Sequence, residues 1–171
     1  MTVVYLWRIR KRSLFIAMLH MALDRFFLSR IAGITFHKSI GTGTGERFTP
    51  SDADLTVWGL IAHSQNISLL DESLVIRLWR KIATLEQRIV MEPLSSHGAW
   101  AKRNPFPISQ RTSADERIVA ITRARIKWSK NRIFWGSVPP VTQSLHSQPG
   151  LLQAIGIGEA PIGLQGTLSI W

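Results

Sequence analysis

The 171-residue sequence predicts an α+β fold of two ferredoxin-like units, the second of them incomplete. Two observations predict it. The first half orders its strand-like and helix-like runs as βαββαβ, the plan of a split βαβ unit. Two later segments then echo each other. SIGTGTGERFTP…LTVWGLI, from Ser39, and AIGIGEAPI…LQGTLSIW, from Ala154, both read as strand, Ile-Gly-x-Gly, Glu, Pro, strand, and both follow a helix. Such an echo marks a duplication. The expected units are residues 1–94 and 117–171, joined by a linker over 95–116.

Each element has a local reason. VVYLWR (3–8) is β-branched and aromatic, which suits a strand. Ser13 is placed to cap a helix that runs to about Phe27. A basic cluster (Arg8, Arg10, Lys11, Arg12) precedes the apolar run from Leu14 to Leu23. That run is too short for a bilayer, which needs about 20 apolar residues. The expectation is a buried helix, with membrane-surface contact as the lesser option. IAGITFHKSI (31–40) and DLTVWGLIAH (54–63) read as strands on either side of a glycine turn. Ser68 and Asp71 resemble a capping box. Leu70, Leu74 and Leu78, with Val75, Trp79 and Ile82, recur at helical spacing, so Leu69–Thr84 is expected as one amphipathic helix. QRIVMEPL (87–94) closes the first unit as a strand.

The linker is rich in Ser, Gly, Pro and Asn. After it, RIVAITRARIKW (117–128) alternates. Ile118, Ala120, Thr122, Ala124 and Ile126 are expected on one face, with Arg123, Arg125 and Lys127 on the other. Residues 138–148 read as a short helix begun by Pro139 and Pro140. Two strands end the chain at Trp171. Between Leu151 and Trp171 the only charge is Glu159, so the segment needs cover, and a further helix and strand are expected to be missing.

Composition narrows the function. Hydrophobic residues make up 45%, enough for a core. The net charge of +10 attracts polyanions. The bases are scattered and no nucleic-acid motif accompanies them, so nucleic acid is not the expected partner. With no cysteine there are no disulfides, thiolate metal sites or thiol nucleophiles.

Gly41, Gly43 and Gly45 give G-x-G-x-G, which is neither a dinucleotide fingerprint nor a P-loop. Their expected role is positive φ in a strand-to-strand turn. The acidic pairs Asp71-Glu72 and Asp115-Glu116 are explained by a helix start and by solvent. No G-x-S-x-G elbow occurs. The five histidines (His20, His37, His63, His97, His146) show no metal spacing. His37 and His63 lie on strands, so either can face a cavity. A single axial ligand to iron needs no motif, however. Arg123 and Arg125 suit carboxylates, equally well as a solvated face. Trp100, Phe106, Phe134 and Trp135 are expected to gather around the second unit, as core or as the wall of an apolar site.

Five blocks carry a resemblance: GTGTGERFTP (41–50), GAWAKRNPF (98–106), ITRARI (121–126), FWGSVP (134–139) and IGIGEAP…LQGTLSIW (155–171). From about Ser13 to Trp171 the chain resembles the spheroidene monooxygenase family of carotenoid oxygenases. The resemblance implies oxygen insertion into an acyclic carotenoid to form a keto group, dioxygen as co-substrate and an associated haem. It also implies a fold of the dimeric α/β-barrel type. On that basis Arg123 and Arg125 become candidates for the haem carboxylates, Trp100, Phe134 and Trp135 for the carotenoid, and His146 for the iron. The usual place for the iron ligand in such barrels is the second unit's last helix. His37-Lys38 departs from the family's aromatic before the lysine. The implied location is the cytoplasm, peripheral to the inner membrane, and an oligomer is compatible. The alternative is an inactive, shortened ferredoxin-like remnant or binding module.

Overall fold

The computed structural model describes residues 1–44, 52–109, 117–159 and 164–171. The fold is α+β. Among the described residues seven strands form one antiparallel sheet: β1 (Thr2–Ile9), β2 (Ile34–Gly43), β3 (Ala53–Ser64), β4 (Ala83–Met91), β5 (Val119–Arg125), β6 (Gln153–Glu159) and β7 (Leu164–Ile170). They pair in the order β4-β1-β3-β2-β6-β7-β5. Among the described residues four α-helices accompany them: α1 (Leu14–Leu28), α2 (Ile67–Asp71), α3 (Leu74–Ile82) and α4 (Asn131–His146). The chain forms two compact units, 1–39 with 58–114 and 40–57 with 115–171.

The N-terminal unit has the anticipated βαββαβ order, with its second helix in two pieces. Its core joins alternate residues of β1 (Val3, Tyr5, Trp7, Ile9) to Trp58, Leu60 and Ala62 of β3 and to Ala17, Val75, Ile76 and Trp79 of the helices. Tyr5, Trp7 and Trp79 stack nearly parallel, with centroids 5.3 and 4.9 Å apart. Buried aromatic tips need partners, and carboxylates supply them. Trp7 Nε1 donates to Glu86, Trp79 Nε1 to Asp24, and the Tyr5 hydroxyl to Asp71.

These bonds explain where the helices depart from expectation. Residues 69–84 do not form one helix. Asp71 ends α2, and its carboxylate takes the Tyr5 hydroxyl and Arg88 instead of serving a helix start. The caps are Asn66, which accepts from Leu69 N, and Ser73, which accepts from Ile76 N, rather than Ser68. Ser13 precedes α1 without a side-chain cap bond. β4 begins at Ala83, because pairing with β1 continues to Ile9 and sets Glu86 opposite Trp7. α1 is buried along one face only, at Ala17, Asp24 and Leu28.

In the C-terminal unit, β7 lies between β6 and β5, antiparallel to both. The echoed glycine stretches are strands, not turns. Gly41 pairs with Gly158, Thr42 with Ile157 and Gly43 with Gly156. Neither Gly41 nor Gly43 has positive φ. Gly43 instead admits a close neighbour, since a Cβ there would lie 3.2 Å from the Asp52 carbonyl oxygen. Gly45, the pair Asp115-Glu116 and Pro161 lie outside the described residues. α4 runs through Pro139 and Pro140 rather than starting at them. The two prolines remove the N–H groups that would have bonded the carbonyls of Trp135 and Gly136.

Candidate functional site

Two side-chain clusters bear on function, one in each unit. In the C-terminal unit, β5, β7 and β6 set Arg123, Gly166 and Ile157 in one cross-strand row. Glu159 lies two residues beyond Ile157, on the same face. Gly166 has no side chain, so the Arg123 guanidinium reaches across it. Arg123 Nε and one terminal nitrogen each lie 2.9 Å from Glu159 Oε1. The two side chains are 16% and 11% exposed. A sheltered arginine needs an anion, and Glu159 supplies one to Arg123. The signal for it was present, because a lone charge in an apolar segment requires a partner.

The two faces expected for β5 are not uniformly sheltered or exposed. Thr122 and Ala124 are exposed, whereas Val119, Ile121 and Arg123 are partly buried. Ile118 is also exposed, and so is Arg125. The ion pair draws Arg123 toward the sheltered side, while Arg125 on the same face is exposed and Ala120 on the other face is partly buried.

In the N-terminal unit, Phe36 of β2, Trp100 and Phe106 pack edge to face, with centroids 5.2 to 6.3 Å apart. Trp100 is held by backbone hydrogen bonds with Arg103 in both directions. The turn between them carries positive φ at Ala101 and Lys102. The His63 ring lies 6.4 Å from Phe106 and its Nδ1 is 2.9 Å from the Thr2 hydroxyl. Burial, and then the nearby N-terminal ammonium, hold His63 below the usual histidine range, which favours the neutral ring. Trp100 and Phe106 therefore belong to the first unit, not the second. Phe36 was missed, although it alternates with Ile40 and Thr42 as a buried strand face.

Phe134 and Trp135 remain in the second unit on α4, half-buried and edge to face at 5.0 Å. His146 is exposed at the last turn of α4. Among the described residues no group of three or more His, Asp or Glu is arranged to hold a metal ion. His146 faces solvent, Arg125 is exposed, and Arg123 is engaged by a carboxylate of its own sheet. What the two clusters offer is a buried aromatic packing and a sheltered charged crosslink.

Comparison with known proteins places these features. No protein-family model matches the chain. It is 36% identical over 157 residues to a spheroidene monooxygenase of Rhodobacter capsulatus, covering 88% of this chain and 65% of that protein. Identity is 31% over 140 residues to that of Cereibacter sphaeroides (80% and 43% covered). It is 30% over 145 residues to that of Rubrivivax gelatinosus (81% and 55% covered). The chain thus spans 43% to 65% of the length of these relatives. Among solved structures, a provisionally assigned monooxygenase from Lactobacillus acidophilus NCFM aligns over 99% of this chain and 75% of its own. Its TM-score is 0.35 at 14% identity, so the fold rests on the strand pairing described above.

Proposed function

We propose, from the premise that this chain is a homologue of the spheroidene monooxygenases, that it acts in the oxidation of an acyclic carotenoid to its keto derivative. The observation that carries the reading is the identity to the Rhodobacter protein over 157 residues, which takes in both units. The paired glycine strands β2 and β6 support a duplicated ferredoxin-like architecture of the dimeric α/β-barrel type. On this reading Phe134 and Trp135, half-buried, contact the polyene, since flat apolar rings suit a long conjugated rod. Trp100 is already enclosed by Phe36 and Phe106, so it shapes that unit rather than touching substrate first. The Arg123–Glu159 crosslink ties β5 to β6. Haem is the oxygen-activating group that the family resemblance implies.

The test is reconstitution. The purified chain is mixed with hemin, spheroidene in detergent micelles, a reductant and air. The expected results are a haem Soret band, a keto carotenoid by chromatography and mass spectrometry, and weaker carotenoid quenching of tryptophan fluorescence in Phe134→Ala. A folded chain by circular dichroism that gives no Soret band and no product overturns the enzymatic reading. It would favour the second one, a non-catalytic ferredoxin-like remnant. The exposed His146 and the Glu159-engaged Arg123 are the observations on that side.

A further inference from the structure

The outer face of α1 is apolar where a surface helix is ordinarily polar. Phe15 is 78% exposed, Met18 56%, Leu19 48%, Leu23 40% and Phe26 48%. Phe15, Leu19, Leu23 and Phe26 follow the spacing i, i+4, i+8, i+11, so they form one stripe along the helix. The acid of the helix, Asp24, is on the opposite side, buried against Trp79.

Charge surrounds this stripe with a single sign. Arg10, Lys11 and Arg12 are exposed just before the helix, and Arg25 and Arg30 at and beyond its last turn. Arg25 lies over the Phe26 ring, 4.5 Å from its centroid, with an apolar stem and a charged head. Between Arg8 and Arg30 no acid other than Asp24 occurs. On α3, which packs against α1, Arg77 and Lys81 are exposed as well.

We propose that this face docks on an anionic lipid bilayer. Phe15, Met18, Leu19, Leu23 and Phe26 enter the boundary between headgroups and acyl chains, and the flanking cations meet lipid phosphates. The 15-residue helix is about 22 Å long and lies in the plane of the surface. No helix among the described residues is long and apolar enough to cross a membrane. Charge also separates a bilayer from a second copy of this chain. Two α1 helices laid face to face would bring cations opposite cations at both ends, which is unfavourable. The proposal does not rest on the carotenoid chemistry, because it uses neither the aromatic clusters nor a cofactor.

The test is co-sedimentation of the whole chain with vesicles containing neither carotenoid nor haem. One set mixes phosphatidylglycerol with phosphatidylcholine; the other is phosphatidylcholine alone. Binding is expected to the anionic set and to fall at high salt. Replacing three cations (Arg10→Gln, Lys11→Gln, Arg12→Gln) should weaken it by about 100-fold, from about fivefold per basic residue at the surface. The exposed pair Leu19→Gln, Phe26→Ser should weaken it by about tenfold or more with an unchanged circular dichroism spectrum. The proposal fails if anionic vesicles are not bound, or if binding is unchanged by Leu19→Gln, Phe26→Ser. It fails too if sedimentation shows a dimer that this pair abolishes while lipid binding persists.

Discussion

Arg123 and Glu159 sit on strands that do not pair with each other, yet their side chains meet at 2.9 Å across the glycine of the strand between them. The pair joins ITRARI to IGIGE, two blocks far apart in the chain, and it depends on the missing side chain of Gly166.

Removing the carboxylate charge should therefore be costly. Glu159→Gln leaves a sheltered guanidinium without this anion and is expected to destabilise the protein by about 2–4 kcal/mol. Urea unfolding followed by circular dichroism measures it. A loss below about 1 kcal/mol would mean that the pair is solvated.

Gly166→Ala tests the path rather than the charges. Its Cβ would collide with the Thr122 carbonyl oxygen and crowd Ile157 Cγ1 at 3.2 Å. The backbone oxygen cannot move as a flexible side chain would. The expected cost is about 2–3 kcal/mol, visible as a lowered Tm. A variant as stable as the parent would refute the close approach of β5 and β7.

Asp24 makes stability depend on pH. Burial raises its carboxyl from 3.8 to about 7, against the lowering effect of bonds from Trp79 and Ser39. A raised carboxyl pKa means that the folded state holds the proton longer than the unfolded one. Stability is thus fully present below about pH 4 as far as this group is concerned, and is lost progressively as pH rises toward about 7. The span corresponds to on the order of 4 kcal/mol. Asp24→Asn keeps an acceptor for Trp79 Nε1 and avoids the charge. It should be more stable than the parent at pH 8 and nearly equal at pH 4, by urea titration at both. Equal effects at the two values would place a solvated charge at Asp24.

Trp100 tests the aromatic cluster of the N-terminal unit. Trp100→Ala removes its contacts with Phe36 and Phe106 and is expected to cost about 3 kcal/mol. Trp100→Phe should recover most of that. Unfolding curves for both variants decide it, and a silent Trp100→Ala would mean that its loop does not support the sheet.

Strand and helix patterning made most of the element order legible, because periods of two and near 3.6 are local properties of a chain. The glycine echo was legible as well. Its use was not: glycine permits a turn or a close strand, and only β2 pairing with β6 selects the strand. The single helix expected over 69–84 failed for a similar reason. Asp71 belongs to Tyr5 and Arg88, which lie far from it in sequence.

What the sequence determined by itself was the class of fold, the family resemblance, the excess of positive charge and the presence of one acid in an apolar C-terminal segment. The partner of that acid, the sheltered side of β5, the unit to which Trp100 belongs and the exposed apolar stripe of α1 were decided by tertiary structure. Each depends on which strands and helices become neighbours. That choice is set by cross-strand register and side-chain packing between distant residues, which local periodicity does not encode.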